Sequence, residues 1–275
     1  MSLSITPLTP LIGAEISNVQ LGNLKDSEFE QIREAFLKHL VLFFRDQDLT
    51  LEEHIAFGRR FGELHVHPAK GDYSSTNGLP PEVLRIHADE NSKRTAGDKW
   101  HSDVSCDPEP PATSILRLHT LPTQGGDTLF ANMYAAYEDL SEPMKVMLGN
   151  LTATHDGGPN YRDRATRNGI DMSQKVYPRN SHPIVRTHPD TGRKALYVNR
   201  VFTQSIDDLP EDESKALLDF LYQHTIKAQY QCRFKWTPNA VAMWDNRCAM
   251  HHAIWDYYPE VRSGYRITVK GERPK

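Results

Sequence analysis

Tyr230, Cys232, Phe234 and Trp236 alternate with Gln231, Arg233 and Lys235, the period of two that puts every second side chain on one face of a strand. Tyr265, Ile267 and Val269 repeat the pattern against Arg266, Thr268 and Lys270. Val41 to Arg45 and Ala240 to Trp244 are short, nearly continuous apolar runs and read as buried strands. The same criteria predict strands at Leu11–Val19, Val83–His87, Ser114–His119, Thr128–Ala131, Leu151–His155, Ile184–Thr187 and Ala195–Val198. Helical spacing is rarer. Phe29, Ile32, Phe36, Leu37 and Leu40 follow a capping box at Ser27-x-x-Glu30, and Thr50-x-x-Glu53 opens a second helix predicted to end near Phe61-Gly62. A third helix is predicted from about Glu211 to His224, with Leu217, Leu218 and Leu221 on one face, and Ser141 with Pro143 marks the start of a shorter one.

Many short strands with Gly and Pro punctuation and few helices predict a mainly β fold, a sandwich or barrel with helices packed outside. Residues 65–81 and 156–183 lack periodicity and are rich in Gly, Pro, Asn and charge; both are expected to be lid or active-site loops. No repeat or linker divides the chain, so residues 1–275 are expected to form one domain.

Composition narrows the function classes. With 32 Lys+Arg against 36 Asp+Glu the net charge is −4, and no basic block offers attraction to a phosphate backbone, so nucleic acid is not an expected partner. No apolar run approaches the ~18 residues of a membrane helix, and no membrane partner is expected. The three cysteines, Cys106, Cys232 and Cys248, form no CxxC pair, which predicts reduced thiols and a cytoplasmic location. Thirteen histidines stand out. Three of them begin a His-x-Asp pair: His87-Ala88-Asp89, His101-Ser102-Asp103 and His188-Pro189-Asp190. Roughly one such pair is expected by chance. His188-Pro189-Asp190-Thr191-Gly192 is turn chemistry, and His87-Ala88-Asp89 enters a polar loop. His101-Ser102-Asp103 lies between Trp100 and Val104, an apolar setting suited to metal ligands. Near the carboxyl end, Trp244-Asp245-Asn246-Arg247 leads to His251 and His252, with Arg262 and Arg266 beyond them. A guanidinium among apolar strand residues is costly to bury unless an anion pairs with it.

These segments, taken in order, resemble the Fe(II)/2-oxoglutarate-dependent dioxygenases of the taurine dioxygenase and 2,4-dichlorophenoxyacetate dioxygenase family. The resemblance runs from Ser4-Ile5-Thr6-Pro7-Leu8 through Phe61-Gly62-Glu63-Leu64-His65-Val66-His67-Pro68 and Trp100-His101-Ser102-Asp103. It continues through Gly125-Gly126-Asp127-Thr128-Leu129, His182-Pro183 and Leu196-Tyr197-Val198-Asn199 to the His251-to-Arg266 spacing. It implies a double-stranded β-helix, or jelly roll, and the cofactors Fe(II), 2-oxoglutarate and O2. His101, Asp103 and His251 would form the metal triad, with three coordination positions left open. Arg266 and Thr128 would hold the distal carboxylate of 2-oxoglutarate, and Arg262 would lie by the carboxylate next to the keto group. His252 would be structural, and Trp100 and Trp244 would be packing residues.

The family's chemistry is hydroxylation of a C–H bond coupled to conversion of 2-oxoglutarate to succinate and CO2. By the resemblance, His67 faces a substrate anion and Val104 and Phe202 line an apolar wall. Lys70 and Gly97 replace a tyrosine and an asparagine that serve taurine. The expected substrate is therefore a small organic anion: an alkyl sulfonate, alkyl sulfate ester or aryloxyalkanoate, with taurine itself less favoured. Two other classes fit a His/Asp/His set: a metal-binding jelly roll that senses a ligand without turnover, and a zinc hydrolase. Neither needs a dicarboxylate clamp. The family is commonly dimeric or tetrameric, which implies a homo-oligomer.

Overall fold

The structure, a computed structural model, describes residues 2–68, 78–167 and 169–275. In chain order the strands are β1 (Ser4–Pro7), β2 (Ala14–Ser17), β3 (Val41–Phe44), β4 (Val83–Ala88), β5 (Thr113–Thr120), β6 (Thr128–Asn132), β7 (Thr152–Asp156) and β8 (Arg179–Pro183). They continue with β9 (Val185–Thr187), β10 (Lys194–Leu196), β11 (Thr203–Ile206), β12 (Gln231–Phe234), β13 (Val241–Asp245), β14 (Ala249–Ala253) and β15 (Arg262–Val269). The helices are α1 (Asp26–His39), α2 (Leu51–Arg59), α3 (Met133–Glu138), α4 (Glu142–Leu148), α5 (Gly158–Arg167) and α6 (Glu211–His224).

A seven-stranded sheet, ordered β1-β2-β3-β13-β5-β15-β4, packs against a three-stranded sheet ordered β12-β6-β14. This is the predicted jelly roll. Alternation along the strands explains the two layers. On β3, Val41 and Phe43 point inward, where Phe43 stacks on Phe234 of β12 at 4.0 Å and meets Phe130 of β6 edge-on. Leu42 and Phe44 point outward to a second core with Ile32 and Phe36 of α1 and Phe57 of α2. On β13, Ala242 and Trp244 go inward and Val241 and Met243 outward. Such strands are buried on both faces, so they read as unbroken apolar runs.

The Thr50–Glu53 capping box forms as predicted: Thr50 Oγ1 accepts from Glu53 N at 3.1 Å, and Glu53 accepts from Thr50 N at 2.8 Å. The box at Ser27 does not. Helix α1 begins at Asp26, and Glu28 accepts from Lys25 N at 3.0 Å, which leaves Ser27 inside the first turn. Residues 156–183 are more ordered than their composition suggests, since they hold α5 and β8. Tyr161 and Ala165 of α5 are buried, while its other positions are mostly Arg, Asp, Asn and Thr. Too few apolar residues recur there to show a helical period. A further small sheet, β11-β7-β8, packs this region beside the jelly roll's open side. No helix of the described residues is long and apolar enough to cross a membrane.

Two histidines in the packed interior carry a pH signature. Burial lowers His54 from its ordinary 6.5 to about 4, and burial with the neighbouring His182 lowers His155 to about 3. His155 lies between the hydroxyls of Ser105, at 2.9 Å, and Thr203, at 3.4 Å. The unfolded chain binds these protons below pH 6.5 and the folded chain does not. Their contribution is therefore complete above pH 6.5 and is lost as pH falls toward 4. Urea denaturation of the metal-free protein is expected to show falling stability across that window, with a shallower slope in His155→Gln. An unchanged slope in that variant would exclude the assignment.

Candidate active site

His101 and His251 are brought together by their main chains. They form an isolated antiparallel bridge in which His101 N donates to His251 O at 3.1 Å and His251 N donates to His101 O at 2.8 Å. The two imidazoles are 4.1 Å apart between ring centres. Asp103 reaches them from a turn, not from a continuing strand, because the chain breaks direction after His101. Val104 holds φ 47°, a left-handed conformation that a β-branched residue rarely adopts. The strain at Val104 lies directly beside the cluster.

One ligand atom from each of His101, Asp103 and His251 lies within 4.8 Å of the others, and all three residues are buried. His101 Nδ1 lies 2.7 Å from the carbonyl of Lys99. A proton on Nδ1 therefore leaves the Nε2 lone pair facing Asp103. His251 is held neutral: burial first, then the adjacent His101, puts its pKa well below 6.5. Burial pushes Asp103 up, but the Arg266 guanidinium outweighs it and holds its carboxyl well below the usual range. A neutral His251, the Nε2 of His101 and an ionised Asp103 are the kind of donor set a divalent cation requires. The set is braced from behind. Asp103 accepts from Ser114 Oγ at 2.6 Å and from Arg266 at 2.7 Å. Asn246 accepts from Asp103 N at 3.2 Å and from Trp244 Nε1 at 3.0 Å, and donates to Ser114 Oγ at 2.9 Å. A Cβ on Gly97, which has φ +81°, would press to 3.2 Å from the His101 ring.

Arg262, Gly264 and Arg266 share the inner face of β15. Arg262 is 2% exposed and donates to Gly126 O at 3.0 Å and Thr128 Oγ1 at 3.3 Å. Trp236 Nε1 also donates to Thr128 Oγ1, at 3.0 Å, and the Arg262 guanidinium lies over the Trp236 ring. With its oxygen accepting from both, Thr128 has its hydroxyl proton left to donate into the cavity. Among the described residues no carboxylate lies within ion-pair distance of Arg262, and burial lowers its pKa. Arg266 and Thr128 are expected to hold one carboxylate together, yet the Thr128 hydroxyl is hydrogen-bonded to Arg262. Arg262 meets Thr128, and Arg266 meets Asp103. The two arginines share one face, and the earlier one reaches Thr128 of β6.

The other expected site residues lie in different places. Val104 and Phe202 are buried in the cavity wall, and His67 is half-buried there with its ring edge-on to Tyr161 at 5.6 Å. Burial first, and then Arg266, keeps His67 well below 6.5. Lys70 lies outside the described residues. His252 turns away and packs edge-on against Trp100. His188-Pro189-Asp190 is the predicted turn between β9 and β10, with Asp190 N donating to His188 Nδ1. His188 also forms a buried group with Asp245 and Cys248. The Arg247 guanidinium contacts both Asp245 oxygens there and supplies the charge a cation would bring. Three residues of α5 that face the cavity, Asn160, Tyr161 and Arg164, carried no signal in the sequence.

A jelly roll with a buried His/Asp/His cluster and an uncompensated arginine cradle beside it is the architecture of a 2-oxoglutarate-dependent oxygenase. The chain belongs to the family described as taurine catabolism dioxygenase TauD, TfdA, which matches residues 4–268. It is similar to the alpha-ketoglutarate-dependent sulfonate dioxygenase of Saccharomyces cerevisiae, 34% identical over 99% of this chain and 68% of that one. It is 32% identical to the alpha-ketoglutarate-dependent sulfate ester dioxygenase of Pseudomonas putida, over 100% of this chain and 91% of that one. The crystal structure of a taurine dioxygenase from Burkholderia xenovorans superposes with a TM-score of 0.84 at 37% identity, covering 100% of this chain and 93% of that one. The protein is an oxidoreductase that uses Fe(II), 2-oxoglutarate and O2. The sensor and zinc-hydrolase readings are set aside.

One consequence concerns Gly264. A Cβ there would collide with the carbonyl oxygen of Arg117 on β5, so Gly264→Ala must push β15 and both arginines away from the site. A stability loss of about 1–3 kcal/mol is expected, together with weakened 2-oxoglutarate binding. Urea midpoints and calorimetric titration check the two effects, and unchanged values in both would refute the packing argument.

Proposed function

We propose that His101, Asp103 and His251 hold Fe(II), that Arg262 with Thr128 binds the distal carboxylate of 2-oxoglutarate, and that Arg266 with His67 faces the anionic group of the substrate. The observation that carries this reading is Arg262. A fully buried guanidinium with no carboxylate partner costs several kcal/mol unless an anion completes it, and Thr128 stands beside it with a proton to give. Arg266 has a different task. It keeps Asp103 ionised as a ligand and turns the rest of its fork toward His67 and the cavity.

When bound, Fe(II) with 2-oxoglutarate and dioxygen supplies the oxidant that converts C–H to C–OH, and 2-oxoglutarate leaves as succinate and CO2. The chain's own residues position the bond and exclude water. Val104, Phe202, Leu84 and Ile86 give the cavity an apolar wall, and cationic groups near the metal cluster orient an anion so that the adjacent carbon is presented. The substrate is a small organic anion, an alkyl sulfonate or alkyl sulfate ester, with an aryloxyalkanoate as the third class. Similarity to the yeast sulfonate and the Pseudomonas sulfate ester enzymes supports the first two. Hydroxylation of a carbon bearing sulfur or oxygen gives a product that collapses with release of sulfite, sulfate or an alcohol. Taurine is a weaker candidate, because Gly97 offers no side chain to its amine.

Anaerobic reconstitution with Fe(II), followed by succinate measurement over a panel of sulfonates, sulfate esters and phenoxy acids, tests the reading. Asp103→Ala is expected to lose turnover and metal binding together. Arg262→Ala should raise the KM for 2-oxoglutarate at least about tenfold with a smaller effect on the substrate's. Arg266→Ala should instead lower kcat and raise the substrate's KM. The reverse pattern for the two arginines would restore the Arg266–Thr128 clamp and overturn this one.

A further inference from the structure

Beyond the metal cluster the site cavity borders another. Ala96, Gly97, Asp98, Asn160 and Arg164 line both the site cavity and a second one of about 400 Å³. Its remaining walls come from the end of β4, with Arg85 and His87; from the loop that follows, with Lys93 and Arg94; and from the last turn of α5, with Arg167. Five guanidinium or ammonium groups thus face two carboxylates, Asp89 and Asp98, in a chain whose overall charge is negative.

Both carboxylates are committed. Asp98 is ion-paired with Arg94. Asp89 accepts from Asn91 N and Ser92 Oγ, each at 3.0 Å, and contacts His87. Arg167 is paired with Asp163 at 2.6 Å. Arg85 and Lys93 have no carboxylate partner among the described residues. Arg85 donates to His87 Nδ1 at 3.2 Å, and Lys93 to the main-chain oxygen of Arg167 at 2.7 Å. Each has further donors to offer, since an ammonium carries three N–H groups and a guanidinium five. Arg85 is half-buried on a strand and Lys93 is tied to α5, so both are held at the cavity rather than free on a surface. Asn160 and Arg164, one helical turn apart on α5, stand where the two cavities meet.

We propose that this second cavity is an anion subsite, and that the preferred substrate is a dianion whose far end, remote from the oxidised carbon, carries a second anionic group held by Arg85 and Lys93. The proposal rests on the oxygenase reading of the first cavity and adds to it the length and terminal charge of the substrate. A carboxylate, sulfate or phosphate terminus satisfies the same donors. A hydroxyl or methyl terminus does not.

Alkanesulfonates of increasing length, each ending in a methyl, hydroxymethyl or carboxylate group, test this in the reconstituted enzyme. At one length the carboxylate terminus should raise kcat/KM about tenfold over the hydroxyl, through KM, because a contact distant from the reacting bond strengthens ground state and transition state alike. The double variant Arg85→Gln/Lys93→Gln should erase that advantage, with the methyl-terminated sulfonate as internal reference. Equal kcat/KM for carboxylate and hydroxyl termini at every length would overturn the proposal, as would a preference that survives the double variant. Calorimetric binding of the same compounds under anaerobic conditions separates the two levels. Absence of succinate with all of them defeats the sulfonate reading, while tighter binding of the carboxylate-terminated member, lost in the double variant, still supports the subsite; equal binding overturns it.

Discussion

Two main-chain hydrogen bonds, exchanged between His101 and His251, are the constraint on which the site depends. They join a segment that leads into β5 with strand β14 and fix the distance between the two imidazoles before any metal arrives. Asp103 is then brought in by a turn that Val104 makes at a conformational cost. Asn246, in the turn between β13 and β14, and Ser114 of β5 hold the Asp103 turn. Under the proposed assignment, a donor set preformed in this way would spare the metal the work of ordering its ligands.

Charge balance organises the rest. The interior face of β15 carries two arginines separated only by Gly264, a pairing that sandwich cores rarely tolerate. Asp103 answers Arg266. Nothing among the described residues answers Arg262, which instead rests on Trp236, Gly126 and Thr128. The folded protein thus carries a desolvated positive charge, which the dicarboxylate co-substrate would relieve under the proposed binding mode. The same logic extends outward through Asn160 and Arg164 to a cavity where positive groups again outnumber negative ones.

Legibility followed range. The mainly β character and most of the core strand positions were readable because each depends on local period, whereas the jelly roll and the grouping of His101, Asp103 and His251 came with the family resemblance. The predicted strand at Ala240–Trp244 and the observed β13 differ by one residue at each end. Arg262 and Arg266 occupy the same face of one strand, so alternation alone does not say which of them meets Thr128; in the folded chain it is Arg262. Helix α5 was missed because it buries little: a helix of Arg, Asn and Asp held by Tyr161 and Ala165 has no apolar stripe to announce it. That helix supplies the cavity's outer wall, so the substrate-facing half of the site was the half least visible.

The chain's residue pattern by itself determined which side chains are available and on which face of each strand they stand, since alternation is enforced by backbone geometry over a few residues. Tertiary structure alone decided which faces meet. It set the bridge that brings His101 to His251, the partner that each arginine finds, and the burial that makes an unpaired guanidinium demand an anion. Those are long-range registers and desolvation energies, and neither is a property of any short stretch of sequence.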